Sequence, residues 1–270
     1  MDRITSFEGG LRIRGQYTIP AGIDRFPPSL IAEAVGQLAA WASMSTVNFE
    51  LRPVAGLAGG IVLLKPVHPG QILDLAADLE TVDTEAVAYG GTAQVEGAPV
   101  IRLEHCVGPM APGAEFDDPQ MLRDRFAVLR GPGAEAGAFG GLPIIALERT
   151  GGESGQAARA TLQVPTSAPF FGDHFPRRPV FPGTLLMDKN LELAAGLAAE
   201  LPPPAAGGQW KMKSVSDVKL RAFIPPGQSL DLETKVKELK PDSATLSVET
   251  KLGKRLVGSA LVHFPAEEKS

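Results

Sequence analysis

The chain has 270 residues, enough for one large domain or two ordinary ones, and its 44% apolar and 21% charged residues are the balance of a globular protein. A formal net charge of −5 gives no general attraction to nucleic acid, and no apolar segment is long enough to suggest a signal peptide or a membrane span. The one cysteine, Cys106, excludes an internal disulfide, and without a Cys/His spacing typical of a metal site we expect a cytoplasmic protein that binds neither metal nor nucleic acid.

The first half of the chain predicts a strand, a long helix and a strand meander. Residues 11–19, LRIRGQYTI, alternate between polar and apolar types, as a half-buried strand does. A proline-rich entry then leads into a helix at 29–44, which is apolar on more than one stripe, so we expect a sheet to wrap around it. Three alternating segments follow at 76–82, 87–97 and 99–108, and their short Gly or Asp breaks are typical of antiparallel strands.

The middle of the chain, residues 109–142, is a connector rich in Gly, Pro and Ala. Within it, the string DDPQMLRDRFAVLR offers an aspartate N-cap followed by Pro119 at the first helical position. This pattern predicts a short amphipathic helix. We expect the connector to link the two halves as a crossover and not to fold as a separate domain.

The second half repeats the order of the first. Alternating segments at 143–150 and 157–164 precede a second apolar helix at 184–200, and three more alternating segments follow it. Pro-Gly-Gln and Leu-Asp-Leu recur at an offset of 157 residues, in KPVHPGQILDL at 65–75 and AFIPPGQSLDL at 222–232.

These repeats predict an α+β fold made of two copies of one unit, residues 1–108 and 143–270. In each copy an antiparallel sheet wraps around a long central helix. Pairing two copies would bury the helix and sheet faces that one copy alone would expose.

One histidine has an unusual setting. The string FFGDHFPRRPVFPGTLLMD surrounds His174 with aromatic residues and prolines, and it ends in Asp188 within the second helix. This long ordered string, with Pro179, Pro182 and Gly183 at matching positions, resembles the 3-hydroxyacyl-[acyl-carrier-protein] dehydratases of fatty acid synthesis, which have the hotdog fold. The resemblance therefore implies a double hotdog for the whole chain.

The resemblance also implies a reaction, the dehydration of 3-hydroxyacyl thioesters to trans-2-enoyl thioesters on acyl carrier protein. Such a reaction needs a base for the C2 proton, an acid for the departing hydroxyl and a hydrogen-bond donor for the carbonyl oxygen. His174 is the implied base, and the backbone N–H of Gly183 at the helix N-terminus is the implied donor. No metal or cofactor is implied, because the substrate arrives on the phosphopantetheine of the carrier protein.

The acid is implied to come from the helix of the other hotdog. An ungapped alignment of the two halves sets Glu33 opposite Asp188, Ile19 opposite His174 and a proline, which has no N–H, opposite Gly183. The first half thus keeps the acid and loses the other two groups. We predict one composite site per chain, made of His174, Gly183 and Glu33, and we regard Asp188 as a vestigial or alternative acid.

Two other functions remain open from the sequence. The chain could be a hotdog thioesterase, or a non-catalytic protein that binds acyl carrier protein or scaffolds another dehydratase. The pathway could be fatty acid synthesis or a related polyketide or polyene route, and both a homodimer and a partner dehydratase are compatible with the sequence. Arg177 and Arg178 follow the histidine closely, so they are candidates for carrier-protein docking, although an ordinary solvated face is the simpler interpretation.

Overall fold

The computed structural model describes residues 1–139, 141–205 and 207–267, and the chain divides into two compact units. The first unit comprises Met1–Gly141 together with Pro169–Pro179, and the second comprises Leu142–Ala168 together with Val180–Ser270. Residues 169–179, here called the His174 loop, therefore belong by their contacts to the first unit. The predicted boundaries at 1–108, 109–142 and 143–270 divide the chain by its repeats, and they stay a prediction.

The first unit is an antiparallel sheet packed on a long helix. Its elements are β1 (Arg3–Glu8), β2 (Arg12–Thr18), α1 (Pro28–Thr46), β3 (Leu51–Pro53), β4 (Leu57–Leu63), β5 (Ile72–Val82), β6 (Ala86–Val95), β7 (Ala98–Pro112) and α2 (Pro119–Arg130). The strands pair in the order β1-β2-β5-β6-β7-β4, and β3 pairs with β7. Helix α1 lies against β2, β3, β5, β6 and β7, as its apolar sequence predicts.

The sequence of helix α1 explains why it packs against the sheet of the first unit. It begins at Pro28, where a missing N–H would have no intrahelical partner. Ile31, Val35 and Leu38 are buried at helical spacing, and each such side chain contributes about 1.5–3 kcal/mol on burial. Gly91 on β6 permits the close approach of the sheet, because a Cβ there would lie 2.4 Å from Cγ1 of Val35.

Helix α2 confirms the helix predicted within the connector. Its N-cap is Asp118, whose Oδ1 accepts hydrogen bonds from the N–H groups of Gln120 at 2.8 Å and Met121 at 3.4 Å. Its apolar face packs on β1, with the Phe126 ring 5.4 Å from the ring of Phe7. No helix in the three described ranges is long and apolar enough to cross a membrane.

The second unit has the same design. Its elements are β8 (Leu147–Glu153), β9 (Ala157–Gln163), α3 (Gly183–Ala198), β10 (Gln209–Trp210), β11 (Ser214–Leu220), β12 (Ser229–Leu239), β13 (Ser243–Leu252) and β14 (Arg255–Glu267). The strands pair in the order β8-β9-β12-β13-β14-β11, and β10 pairs with β14. Helix α3 lies against β9, β12, β13 and β14.

The internal repeat predicted from the sequence is confirmed strand by strand. Strands β11, β12 and β13 begin 157 residues after β4, β5 and β6 and have the same lengths. Even the register irregularity recurs, between Leu79 and Thr81 on β5 and between Val236 and Glu238 on β12. The α+β fold from two copies of one unit is therefore correct. The short strands β1, β3, β4, β10 and β11 were not predicted.

The repeats differ most in the segment before the central helix. Nine residues separate β2 from α1, whereas nineteen separate β9 from α3. At the strand ends, the N–H of Ile19 donates to the carbonyl of Gln71 and the N–H of Val164 donates to the carbonyl of Gln228, both at 2.8 Å. Ile19 is thus equivalent to Val164, and its ungapped alignment with His174 is wrong. The longer segment of the second repeat, residues 164–182, carries the whole His174 loop.

Candidate active site

The His174 loop is folded by its own backbone. After a short 3-10 turn at Pro169–Gly172, the N–H groups of Asp173 and His174 donate to the carbonyl of Phe170 at 3.2 and 2.8 Å. The half-buried His174 ring stacks on the ring of Phe175, with 4.1 Å between centroids and 22° between planes. The His174–Phe175 peptide is cis. The stacking contact holds the imidazole beside the Phe175 ring.

Phe175 is in turn fixed by residues of the first repeat. Its buried ring meets the ring of Phe116 edge-on at 5.1 Å, and Cζ of Arg52 lies 4.1 Å from its centroid. The carbonyl of Phe116, which is fully buried, accepts a hydrogen bond from the N–H of Arg177 at 3.0 Å. The loop thus packs on Arg52 and on residues 113–118, here called the 113–118 turn.

Arg52 and Asp117 form an ion pair beneath this loop, with only 16% and 12% of their side chains exposed. Burial lowers the pKa of Arg52, and the negative charges of Asp117 and Glu33 oppose that change. Burial raises the pKa of Asp117, while Arg52, Arg177 and His174 act in the opposite direction.

Glu33 lies in the second turn of α1 and is half-buried. Nε2 of Gln37, one turn later, donates to its Oε1 at 3.0 Å. Gly36 leaves room for the hydroxyl of Tyr89, which would lie 3.2 Å from a Cβ at that position. Burial raises the pKa of Tyr89, and Cys106 and Glu33 add to the rise. The Glu33 carboxylate therefore has a polar surrounding inside the first unit.

Gly183 and Asp188 lie in the second unit. Gly183 is the first residue of α3, and a Cβ there would lie 2.4 Å from Cδ1 of Leu220 on β11, so a larger residue would force that side chain to move. Asp188 is half-buried and sits five residues after the helix start, as Glu33 does on α1. Of the four predicted residues, His174 and Glu33 thus share a unit, and Gly183 and Asp188 share the other. Their catalytic roles stay predictions.

Arg177 and Arg178, the predicted docking residues, are both ion-paired and about half exposed. Nη2 of Arg177 lies 2.9 Å from Oδ2 of Asp118, and its Nη1 donates to the carbonyl of Ala114 at 3.1 Å. Nη1 of Arg178 lies 2.8 Å from Oε2 of Glu115. Both arginines hold the His174 loop on the 113–118 turn, which leaves less of their charge for a partner. Their docking role stays a prediction.

Sequence reasoning missed Arg52, Asp117 and Phe116. Arg52 lies on a strand of three residues, too short to show alternation. Asp117 directly precedes Asp118, the N-cap of α2, so in the sequence these two aspartates indicate only the start of a helix. An arginine and an aspartate far apart in the sequence carry no shared signal until the fold brings them together.

Comparison with known proteins supports the fold and the family. Residues 150–258 match the model of the ApeI-like family, described as ApeI dehydratase. A 3-hydroxyacyl-[acyl-carrier-protein] dehydratase FabZ of Variovorax paradoxus (strain S110) is 29% identical over 111 residues, which are 40% of this chain and 71% of that protein.

Two solved structures match almost the whole chain. A Lactobacillus plantarum protein described as an oleoyl thioesterase has a TM-score of 0.63 at 10% identity, with 96% of this chain and 98% of that chain covered. A MaoC-like dehydratase has a TM-score of 0.55 at 12% identity, with 96% and 98% covered. At these identities the two likenesses show the fold alone. With the sequence match of the second half, they confirm the resemblance: the chain is a double-hotdog protein whose second repeat is similar to the hotdog-fold dehydratases.

Proposed function

We propose that the chain is a dehydratase that converts 3-hydroxyacyl thioesters on acyl carrier protein into trans-2-enoyl thioesters, at one composite site per chain. One observation carries the proposal. The His174 loop of the second repeat packs in the unit that contains Glu33, and its Phe175 ring lies against Arg52 of the buried pair Arg52–Asp117. The match of residues 150–258 to a dehydratase family supports the reaction class.

The proposed reaction removes water across C2 and C3 of the acyl chain. The His174 imidazole takes the C2 proton, and the C2–H electron pair moves toward the thioester carbonyl, whose oxygen gains negative charge. The electrons then form the C2=C3 bond as the C3–O bond breaks, and Glu33 gives its proton to the departing hydroxyl, which leaves as water. The proton on His174 returns to Glu33 before the next turnover.

Gly183 keeps the role that the resemblance implies, the donation of a backbone hydrogen bond to the carbonyl oxygen. The first N–H groups of any helix have no intrahelical acceptor, and the helix dipole favours negative charge at that end. The phosphopantetheine that carries the acyl chain belongs to the substrate, and the reaction as written needs no metal or redox group.

The test is a parallel assay of the wild type, Glu33→Gln and Asp188→Asn with 3-hydroxyacyl carrier-protein substrates of several chain lengths. The two variants are matched, because each turns a half-buried acid at the same helix position into its amide. We expect Glu33→Gln to lower kcat about 10²- to 10⁴-fold, the usual contribution of a general acid. Asp188→Asn should stay within about twofold of the wild type, since no chemical step is assigned to it.

Other outcomes identify the alternatives. Reversed effects of the two variants would make Asp188 the acid. Release of free carrier thiol without enoyl product would identify a thioesterase. A wild type that binds the carrier protein and turns over none of the substrates would identify a scaffold, and a partner dehydratase would then be sought.

A further inference from the structure

We propose that Arg52, held by Asp117, is a positioning residue that keeps the His174 loop in one fixed arrangement. Its effect on turnover rests on the proposed dehydration. Its effect on the imidazole of His174 does not, because that effect follows from contacts within the first unit alone.

The backbone brings Arg52 and Asp117 side by side. Strand β3 pairs with the end of β7, with Arg52 opposite Ala111, and the 113–118 turn follows directly. The N–H of Gly113 donates to the carbonyl of Glu50 at 2.8 Å, and a Cβ on Gly113 would lie 3.0 Å from the carbonyl oxygen of Phe49. The turn is thus fixed to the segment that carries Arg52.

The Arg52 guanidinium makes contacts that a simpler cation could not combine. It pairs with Asp117 and lies over the Phe175 ring. A planar guanidinium can hydrogen-bond through its edge while its face stacks on a ring, whereas an ammonium group cannot do both. Buried ion pairs often add little stability over well-packed apolar residues, so stability alone does not explain this one.

The link to the imidazole runs through Phe175. The rings of His174 and Phe116 and the guanidinium of Arg52 all contact the Phe175 ring, at 4.1, 5.1 and 4.1 Å. Loss of Arg52 removes one of these three neighbours and leaves Asp117 buried without its closest partner. The stacked imidazole can then shift relative to α1, and a displacement of about 1 Å in a catalytic group lowers turnover about 100-fold.

The experiment compares Arg52→Met, Asp117→Leu, the double variant and Arg52→Lys in the full chain. Each single apolar variant leaves one buried charge unpaired and should lower the melting temperature, and the double variant should recover most of that loss. Arg14→Met is the matched control, because Arg14 makes an ion pair of 2.8 Å with Asp78 at another place in the first unit.

Two measurements separate positioning from stability. In the folded double variant we expect kcat to fall about 100-fold with KM within about threefold, and Arg52→Lys should not restore it. The NMR signal of the His174 ring, assigned by its loss in His174→Gln, should shift in the double variant and in Arg52→Lys. The ring signal of His263, which lies in the second unit, should not move, and Arg14→Met should change neither kcat nor either signal.

A folded double variant with wild-type kcat and an unshifted His174 signal overturns the proposal, because Arg52 would then only stabilise the fold. If the double variant does not fold, the same result for Arg52→Lys overturns it. A wild type without dehydratase activity would end the proposed function, and the His174 signal would still decide whether Arg52 positions the loop.

Discussion

The two repeats share their strand order, the lengths of three strands and the position of a bulge, yet they differ in the segment that leads into the central helix. The first repeat uses nine residues there and the second uses nineteen. The longer segment carries the only histidine assigned to catalysis, and its His174 loop packs in the first unit. In the proposed reaction the second repeat thus provides the base, and the first provides the acid and the surface on which the loop packs. The two copies therefore differ mainly in one loop, while their strand order and the lengths of three strands are the same.

The largest expected effect tests the loop directly. Replacing the proposed base by His174→Ala should lower kcat about 10²- to 10⁴-fold with only a small fall in the melting temperature, because the half-buried ring stacks on Phe175 but lies outside the sheet and helix core. His68→Ala is the control, an exposed histidine of the first unit, and it should keep wild-type kcat. Equal activity in both variants would remove the proposed difference between the repeats.

The next largest effect is on stability, and it concerns Phe116, whose ring packs against Phe175 of the His174 loop. Phe116→Ala empties a fully buried site under Phe175, so we expect a loss of about 3–5 kcal/mol in the free energy of unfolding of the first unit. Urea unfolding followed by circular dichroism measures it. Met121→Ala, at a methionine of the first unit that is 71% exposed, should change that free energy by less than about 0.5 kcal/mol. Similar losses of unfolding free energy in the two variants would show that the contact between Phe116 and Phe175 adds no stability.

The start of α3 gives a smaller effect. Gly183→Ala places a Cβ 2.4 Å from Cδ1 of Leu220, and we expect about 1–3 kcal/mol of destabilisation from overpacking. Gly196→Ala is the matched control in the same helix. No atom lies within 4 Å of a Cβ there, so alanine should stabilise by about 0.5–1 kcal/mol. Urea midpoints of both variants check the pair, and a stable Gly183→Ala would show that the Leu220 side chain moves aside freely.

A smaller effect, expected from Arg177 and Arg178, distinguishes two roles for these arginines: docking of the carrier protein and support of the His174 loop. Their half-exposed ion pairs should each contribute less than about 1 kcal/mol to stability. Because both guanidiniums are already paired on the 113–118 turn, we expect Arg177→Ala with Arg178→Ala to lower kcat and leave KM for the carrier-bound substrate within about threefold. A large rise in KM that fades at high salt would instead support carrier-protein docking.

The smallest expected effect is a change in the rate of thiol labelling, which reports on the first unit alone. The single cysteine, Cys106, lies buried on β7 of the first unit, and burial raises its pKa to about 11. At pH 8 only about one thiol in a thousand is ionised, so a thiol reagent should not react with the native chain. Reaction during unfolding then reports the opening of the first unit, and Phe116→Ala should accelerate it. Rapid labelling of the native wild type would contradict the burial.

The frame was accessible to sequence reasoning because long elements carry periodic patterns. Both central helices and all six long meander strands were predicted to within a few residues, and the HFP string indicated the loop histidine. Short strands failed for physical reasons, since three residues at Leu51–Pro53 cannot show alternation and the glycines in Leu57–Leu63 resemble a turn. The ion pair Arg52–Asp117 and the contact of Phe116 with Phe175 exist only through tertiary packing.

The position of the His174 loop has a consequence for how the polypeptide is organised. A loop that is encoded in the second repeat and packs in the first needs both repeats in equal numbers. As separate proteins, they would meet only as often as their dilution allows. Joined by one connector, they have a local concentration that expression levels cannot change. Cutting the chain between the repeats should therefore make turnover depend on the mixing ratio of the two fragments.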